Sequence, residues 1–424
     1  MQTEPGPGYR YTVLLAVASA LSFAKTLLYA KAVSVVEFGV LGEILLVSTI
    51  FNASGSLGFH LLAHREMPVE YRSGREREAL KWIAKAVIIS TLTAIPALGM
   101  LTVAAAGFRM AIGSALLGIG HGWTYHAFTL VTAESKSRLE MISYSRSILN
   151  RVLATMIAGL ACAYWLGSAA SIALAEIGVT LLQMIPMVRA SLSRVNVRIL
   201  PLQPLRSMFT VQEWRAALIL LAITAVSIVQ VSADRWVASF TVSTQQFGIY
   251  SFAWITLSVA QVIQQIVNAG FFPFLARSAA DGSKSRALRM AGTMSLIFLG
   301  VGVLGALLTK LFGGYLIRHF FARYADAEGI LTPLVAAAIL QLSDYWSTYL
   351  VVVKQEGLLL RGKGIAALGA VAAWSLMRLH PAFMSRDMLW QSAMLGLVMA
   401  VFSSIASVSC SLFGSRSTQA VSDS

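Results

Sequence analysis

The residues best suited to chemistry lie inside apolar runs, where a polar side chain has to find a partner. Gln261, Gln264, Gln265 and Asn268 recur at i, i+3, i+4 and i+7, which sets four amides on one face of a helix. Each amide offers donors and an acceptor, the chemistry that matches sugar hydroxyls. The plainer use of such amides is interhelical hydrogen bonding, worth about 0.6 kcal/mol each in membrane bundles. Four on one face exceed what that use requires, so a wet cavity is expected there. Ser227, Gln230 and Asp234 (i, i+3, i+7) form a second polar face, and Gln341, Asp344, Tyr345 and Thr348 a third.

Seven ionisable residues sit at depth in apolar runs, or one turn inside: Lys25, Glu43, Arg151, Glu176, Asp234, Arg235 and Asp344. Each costs about 2.5–3.5 kcal/mol to place in a bilayer, so each is expected to face a partner or a wet cavity. The carboxylates Asp234, Asp344, Glu43 and Glu176 are candidates for ion coupling. Lys25, Arg151 and Arg235 are candidates for cationic contacts in a substrate cavity, beside Gln230 and the four amides. Lys25 and Arg235 could instead snorkel to the interface, with Asp234 pairing locally. Arg151, close after Arg146 and Asn150, could receive a diphosphate bidentately or anchor a helix end to lipid phosphate. His60/His64 and His121/His126 lack a third ligand, so no metal is expected. Gly-rich phosphate loops, nucleophile elbows and HExxH are absent, and no cofactor is expected. Cys162 and Cys410 read as small buried hydrophobes.

The elements that position these residues follow from composition. The chain has 424 residues, 57% hydrophobic and 12% charged, far from the charged share of soluble domains. That excludes most soluble enzyme classes. Apolar runs long enough to span occur at about 11–33, 38–63, 80–107, 110–132, 147–167, 169–188, 214–240, 246–275, 289–312, 330–352, 364–379 and 388–412. The chain is therefore read as an all-α polytopic membrane protein with about 12 transmembrane helices. The eleventh run is the weakest, closed early by Arg378, His380 and Pro381. Ala18-Ser19-Ala20 resembles a signal cleavage site, but Lys25 lies just beyond it, and the run is read as a retained span.

The net charge of +14 would suggest nucleic acid in a soluble protein, but in a membrane protein it means basic loops on anionic lipid. No nucleic acid is expected. With the N-terminus inside, Lys and Arg favour inner segments about threefold, Arg361 and Lys363 among them, which sets both termini in the cytoplasm. His64 to Lys81 reads equally as an amphipathic surface helix on lipid or as a charged solvated helix.

Ser34-Val35-Val36-Glu37-Phe38-Gly39-Val40 overlays Ser243-Thr244-Gln245-Gln246-Phe247-Gly248-Ile249, an offset of 209. Both are short turns that open a long apolar helix, and the same offset carries Lys25 onto Asp234. The offset is close to half the chain and to six spans, so two six-helix lobes in parallel repeat are expected: 1–207 and 208–412. Lys25 and Asp234 would then face each other or a common cavity. The stretch 189–213, with two prolines, is the expected link, and 413–424 an unstructured cytoplasmic tail.

With the Phe38-Gly39 turn, its echo at Gln245 to Ser251, Asp234-Arg235 before that echo and twelve spans, the chain resembles the Wzx-type oligosaccharide flippases. These belong to the multidrug/oligosaccharidyl-lipid/polysaccharide exporter superfamily. The resemblance implies a pair of six-helix lobes in the bacterial cytoplasmic (inner) membrane. It implies translocation of a polyprenyl-diphosphate-linked oligosaccharide by alternating access, coupled to H+ or Na+, for lipopolysaccharide or exopolysaccharide biosynthesis, beside the polysaccharide polymerase machinery. The short eleventh span departs from that pattern. Three rivals are a drug/cation antiporter of the same superfamily, a major-facilitator transporter, and an envelope polysaccharide polymerase. Acidic cavity charge would mark the first, a Gly-x-x-x-Asp-Arg-x-Gly-Arg loop the second, and a large outer loop with catalytic Arg or His the third.

Overall fold

The computed structural model describes residues 7–107, 111–194, 208–280, 284–353 and 355–422, and among them all regular structure is helical. The proline-bearing part of the expected link, 195–207, lies outside the described residues. In chain order the helices are α1 (Pro7–Ala32), α2 (Val35–Ser54), α3 (Phe59–Arg72), α4 (Glu76–Gly107), α5 (Ile112–Ser137), α6 (Met141–Leu166), α7 (Ala169–Arg194) and α8 (Val211–Thr241). They continue with α9 (Thr244–Ala280), α10 (Lys284–Leu308), α11 (Gly314–Phe320), α12 (Glu328–Leu342), α13 (Trp346–Val352), α14 (Glu356–Met377), α15 (Pro381–Met384) and α16 (Met388–Ser422). A π-helical turn at Thr309–Gly313 joins α10 to α11.

Among the described residues, eleven helical segments are long and apolar enough to cross a membrane. The helix α5 is more polar, carrying Gly113, Gly118, Gly120, Gly122, His121 and His126, yet it is the most protected of the first seven, with buried residues along its whole length. It packs on α2, α4 and α7, so its polar groups meet protein rather than lipid. With α5 the expected set of spanning helices is present. The chain is a multi-pass membrane protein.

Two turns share one design. Ser34 caps α2 by accepting from Glu37 N (3.1 Å), and Ser243 caps α9 by accepting from Gln246 N (3.3 Å). The residues that follow, Phe38 and Phe247, are both buried, so each turn ends by planting an aromatic anchor in the core. The Gln246 side chain returns the favour by accepting from Ser243 N (3.2 Å). Glu37 instead accepts from Ala169 N (2.7 Å), the first residue of α7.

The chain divides into two compact units, Met1–Ala225 and Val226–Ser424. The division falls inside α8 rather than at 207/208, because the first turns of that helix pack with α3. Phe59, Leu62, Met67, Leu130 and Ala217 share one core cluster, the Phe59 and Trp214 rings meet edge to face at 4.9 Å, and Lys85 pairs with Glu213 at 2.6 Å. Gly58 (φ 87°) makes the turn between α2 and α3, and any Cβ there would strike the Ala217 carbonyl. The expected surface helix over 64–81 is corrected accordingly. It is two helices, and α3 buries Phe59, Leu62, Ala63 and Met67 against α4 and α5.

Two further expectations change. The eleventh span is not short: α14 begins at Glu356, because Leu358, Leu359 and Leu360 extend its apolar face, and Lys363 finds a partner inside the protein. The tail is not structureless: α16 continues as helix to Ser422, and no proline interrupts it.

In the second unit α9 packs on α12, with Leu257, Ala260, Ala337, Ala338, Leu342 and Ala400 in one cluster. The span Ala322–Val352 is discontinuous. It stops at Leu342 and restarts at Trp346.

Candidate functional site

That break decides the site. Ser343, Asp344 and Tyr345 leave the helix, so the expected continuous face of Gln341, Asp344, Tyr345 and Thr348 is corrected to a bend that keeps Gln341 and Asp344 at one cavity and sends Tyr345 elsewhere. Tyr345 is fully buried, its ring beside Phe271 (5.8 Å) and Phe298 (5.2 Å). Asp344 serves the other side of the bend. Its Oδ1 accepts from Ser347 N (3.2 Å) and its Oδ2 from Ser347 Oγ (2.7 Å), which satisfies an amide freed at the start of α13. Broken helices within a bilayer are tolerated where protein or a polar cavity takes the freed groups.

Lys363, on α14, donates to Asp344 Oδ2 (2.9 Å) and Ser403 Oγ (2.7 Å). The carbonyl of Lys363 accepts from Gln230 Nε2 (2.9 Å), and Gln264 Nε2 donates to the Asp344 carbonyl (3.3 Å). Gln261 Nε2 donates to Gln341 Oε1 (3.0 Å). Together Gln230, Gln261, Gln264, Gln341, Asp344, Lys363 and three serines line a cavity of about 280 Å3, with Met399, Ala400 and Val231 as apolar wall. Its volume lies just below the usual range for small-molecule sites (about 300–1,000 Å3).

Four of the sequence candidates thus meet at this pocket: Gln230, Gln261, Gln264 and Asp344. The side chains of Gln265 and Asn268 lie outside the described residues. Lys363 was missed, assigned to an inner loop. The signal was the leucine run that precedes it, which already places it inside a span.

Two candidates of the same unit stay outside the pocket. Asp234 is buried and accepts from Tyr250 OH (2.7 Å), and Gly396 leaves the room its carboxylate occupies. Arg235 lies over the Trp254 ring, 3.7 Å from the centroid, and donates to Ser232 Oγ (3.0 Å).

The first unit gathers its charges differently. Lys25 (α1) meets Glu176 Oε1 (α7) at 2.7 Å, and Tyr29 OH donates to the same oxygen (2.9 Å). His121 Nε2 (α5) lies 3.0 Å from Glu176 Oε2, and its Nδ1 lies 2.7 Å from Ser48 Oγ (α2). Tyr29 OH also reaches the Thr155 carbonyl of α6 (3.0 Å). Five helices converge on one buried carboxylate, a chain of groups able to hold or pass a proton. Glu43 is likewise buried, hydrogen-bonded to Ser114. Tyr29, Ser48 and His121 were not foreseen, because their roles depend on partners far along the chain.

Lys25 and Asp234, which the 209-residue offset aligns, each have a partner within their own unit. Arg151, near the middle of α6, lies over the Tyr125 (4.2 Å) and Phe128 (5.2 Å) rings. The histidines pair singly: His126 Nδ1 with the Asn52 carbonyl (2.9 Å) and His60 Nδ1 with Ser56 Oγ (2.8 Å).

Comparison with solved structures gives the chain its place. An outward-facing multidrug resistance MATE family transporter of the MOP superfamily superposes with a TM-score of 0.65 at 12% identity, over 98% of this chain and 96% of that one. The fold is that of the MATE and MOP superfamily transporters. A MOP superfamily transporter from Pyrococcus furiosus matches at a TM-score of 0.64 and 12% identity, covering 98% of this chain and 96% of the other. The lipid II flippase MurJ, in an inward closed conformation, matches at 0.61 and 13%, covering 96% and 87%. No protein-family model matches the sequence, and no curated protein matches it at a significant level. The MATE-like fold extends over the whole length, at an identity where geometry alone is shared.

Proposed function

We propose that the protein is a flippase that moves a polyprenyl-diphosphate-linked oligosaccharide across the bacterial cytoplasmic membrane by ion-coupled alternating access, for envelope or exopolysaccharide biosynthesis. The observation that carries this reading is the pocket of the second unit. Four glutamine amides offer paired donors and acceptors for hydroxyls, in a pocket whose one lysine and one carboxylate neutralise each other. A lipid II flippase and multidrug transporters share the fold, so both substrate classes suit this frame. Charge favours the first. The two carboxylates best placed to attract a cationic drug, Glu176 and Asp344, are already paired with Lys25 and Lys363.

Coupling by H+ or Na+ would use these same carboxylates, with Asp234 and Glu43 behind them. Exchange of Lys25 for a proton or cation at Glu176 is a change of partner that five helices would feel. The test is deletion of the gene in its source organism, with lipid-linked oligosaccharide read by mass spectrometry and its leaflet assigned by accessibility to an added glycosidase. Complete units retained on the inner face support flipping. Units that accumulate on the outer face point to polymerisation, and altered drug sensitivity with normal glycan points to an antiporter.

A further inference from the structure

A second cavity, of about 440 Å3, opens in the first unit between α3, α5 and α6. It differs from the pocket of the second unit in its charge. Arg151, Lys136 and His64 line it, and among the described residues no Asp or Glu does. The neighbouring cations are neutralised: Arg138 lies 2.8 Å from Glu76 and 3.3 Å from Glu134, Lys85 2.6 Å from Glu213, and Lys25 2.7 Å from Glu176. Arg151 and Lys136 have no carboxylate partner among the described residues. Their cationic groups lie over aromatic rings, Arg151 over Tyr125 and Phe128, Lys136 over Tyr144 at 5.9 Å. Arg151 Nε is buried and makes no hydrogen bond. A guanidinium held against two rings, with an unsatisfied buried donor, is prepared for a planar or tetrahedral oxyanion.

The rest of the cavity is apolar, with Pro68, Met141 and Ile148 in its wall. Leu139 closes one side from the turn between α5 and α6. That residue carries two costs at once, a positive φ of 65° and 77% exposure. The cost of exposure disappears if hydrocarbon covers the side chain. The lining therefore combines an anion-binding end with an apolar rim.

We propose that this cavity binds the phosphate head of a membrane amphiphile, with Arg151 and Lys136 on the phosphate oxygens and Leu139, Met141 and Ile148 along its chain. The bias of Lys and Arg along the sequence puts this end of α5 and α6 on the cytoplasmic side, where such a head group would arrive from the inner leaflet. The proposal needs the membrane setting but not the identity of the transported substrate. Two sources share this chemistry, a bulk anionic phospholipid and a polyprenyl phosphate.

The experiment is native mass spectrometry of the full chain released from phosphatidylcholine nanodiscs that contain either phosphatidylglycerol or undecaprenyl phosphate. One phosphate lipid should be retained per chain, and R151Q/K136Q should lower its occupancy about tenfold or more, since two charge-assisted contacts are lost. Arg151→Lys should recover part of it. Retention of phosphatidylglycerol alone assigns the site to bulk lipid; preference for undecaprenyl phosphate assigns it to the prenyl carrier. Equal retention by the double variant, or equal retention of a neutral diacylglycerol, overturns the proposal. If the double variant does not fold, a photoreactive phosphatidic acid on the wild-type chain replaces it. Cross-links to the peptide Leu139–Arg151 are expected, and labelling confined to other segments rejects the site. No transport is read in either assay, so its result is separable from that of the flippase reading.

Discussion

The two units, built on one repeated turn, handle buried charge in opposite ways. In the first, Glu176 is enclosed by Lys25, Tyr29 and His121. In the second, Asp344 and Lys363 pair at the wall of a cavity whose other polar groups are amides and hydroxyls. Closed ion pairs in a low-dielectric interior make stability depend on every partner, because removal of one leaves an uncompensated charge. Amides around a cavity hold no such stake, since each costs little to remove from the fold. The first arrangement suits a switch between discrete packings, the second a surface that exchanges partners with a guest.

Substitution tests this contrast most sharply at its closed end. Glu176→Ala should destabilise the protein by about 3–5 kcal/mol, read as a fall in the denaturation midpoint in detergent, because Lys25 is stranded. Lys25→Met combined with Glu176→Leu should recover most of that loss. A single variant as stable as the wild type would mean that water reaches the network, and the contrast would collapse.

Next in size is the contact that encloses the network. Gly118 and Gly122 on α5 face α2 so closely that added Cβ atoms would sit 2.6 Å from Val47 Cβ and 2.7 Å from the Ser48 carbonyl. Gly122→Val should therefore cost about 1–3 kcal/mol in the same measurement. It should also disturb the His121–Ser48 bond, whereas Gly305→Ala, inside α10 of the second unit, meets open space and should stabilise by up to about 1 kcal/mol.

At the pocket the balance reverses. Gln261→Ala and Gln230→Ala should change stability by less than about 1 kcal/mol, as single amides in a membrane bundle do. In a reconstituted flipping assay the same variants should slow transport about tenfold, the equivalent of about 1.4 kcal/mol. Loss of stability without loss of transport would reassign these glutamines to structure.

The smallest effect separates the two copies of the turn. Ser34→Ala and Ser243→Ala should each cost about 1 kcal/mol as lost helix caps. Gln246→Ala should weaken only its own turn, while Glu37→Ala should also loosen the start of α7, where it binds Ala169 N. Differential hydrogen exchange at Ala169 reads this difference.

How much of this was legible follows from the range of each interaction. The polar face of Gln261 and Gln264 was visible because helix periodicity is local, and both residues do line the pocket. The Phe38-Gly39 and Phe247-Gly248 turns were visible for the same reason. The break at Ser343–Tyr345 was not, since no glycine or proline marks it; Asp344, Ser347 and Gln264 sustain it from three sides. Lys363 was misread because a lysine beside Arg361 has the local look of a loop charge.

The sequence by itself determined that the chain is helical and membrane-spanning, where the turns repeat, and which residues would be too polar to face lipid. These are properties of runs and spacings, set by about 20 residues at a time. Only the tertiary structure decided who answers each buried charge. Glu176 is 151 positions from Lys25, and Ser403 is 173 from Gln230. In a medium without water, a buried charge or amide is matched by whatever the packed helices bring within about 3 Å. No spacing along the chain encodes that distance.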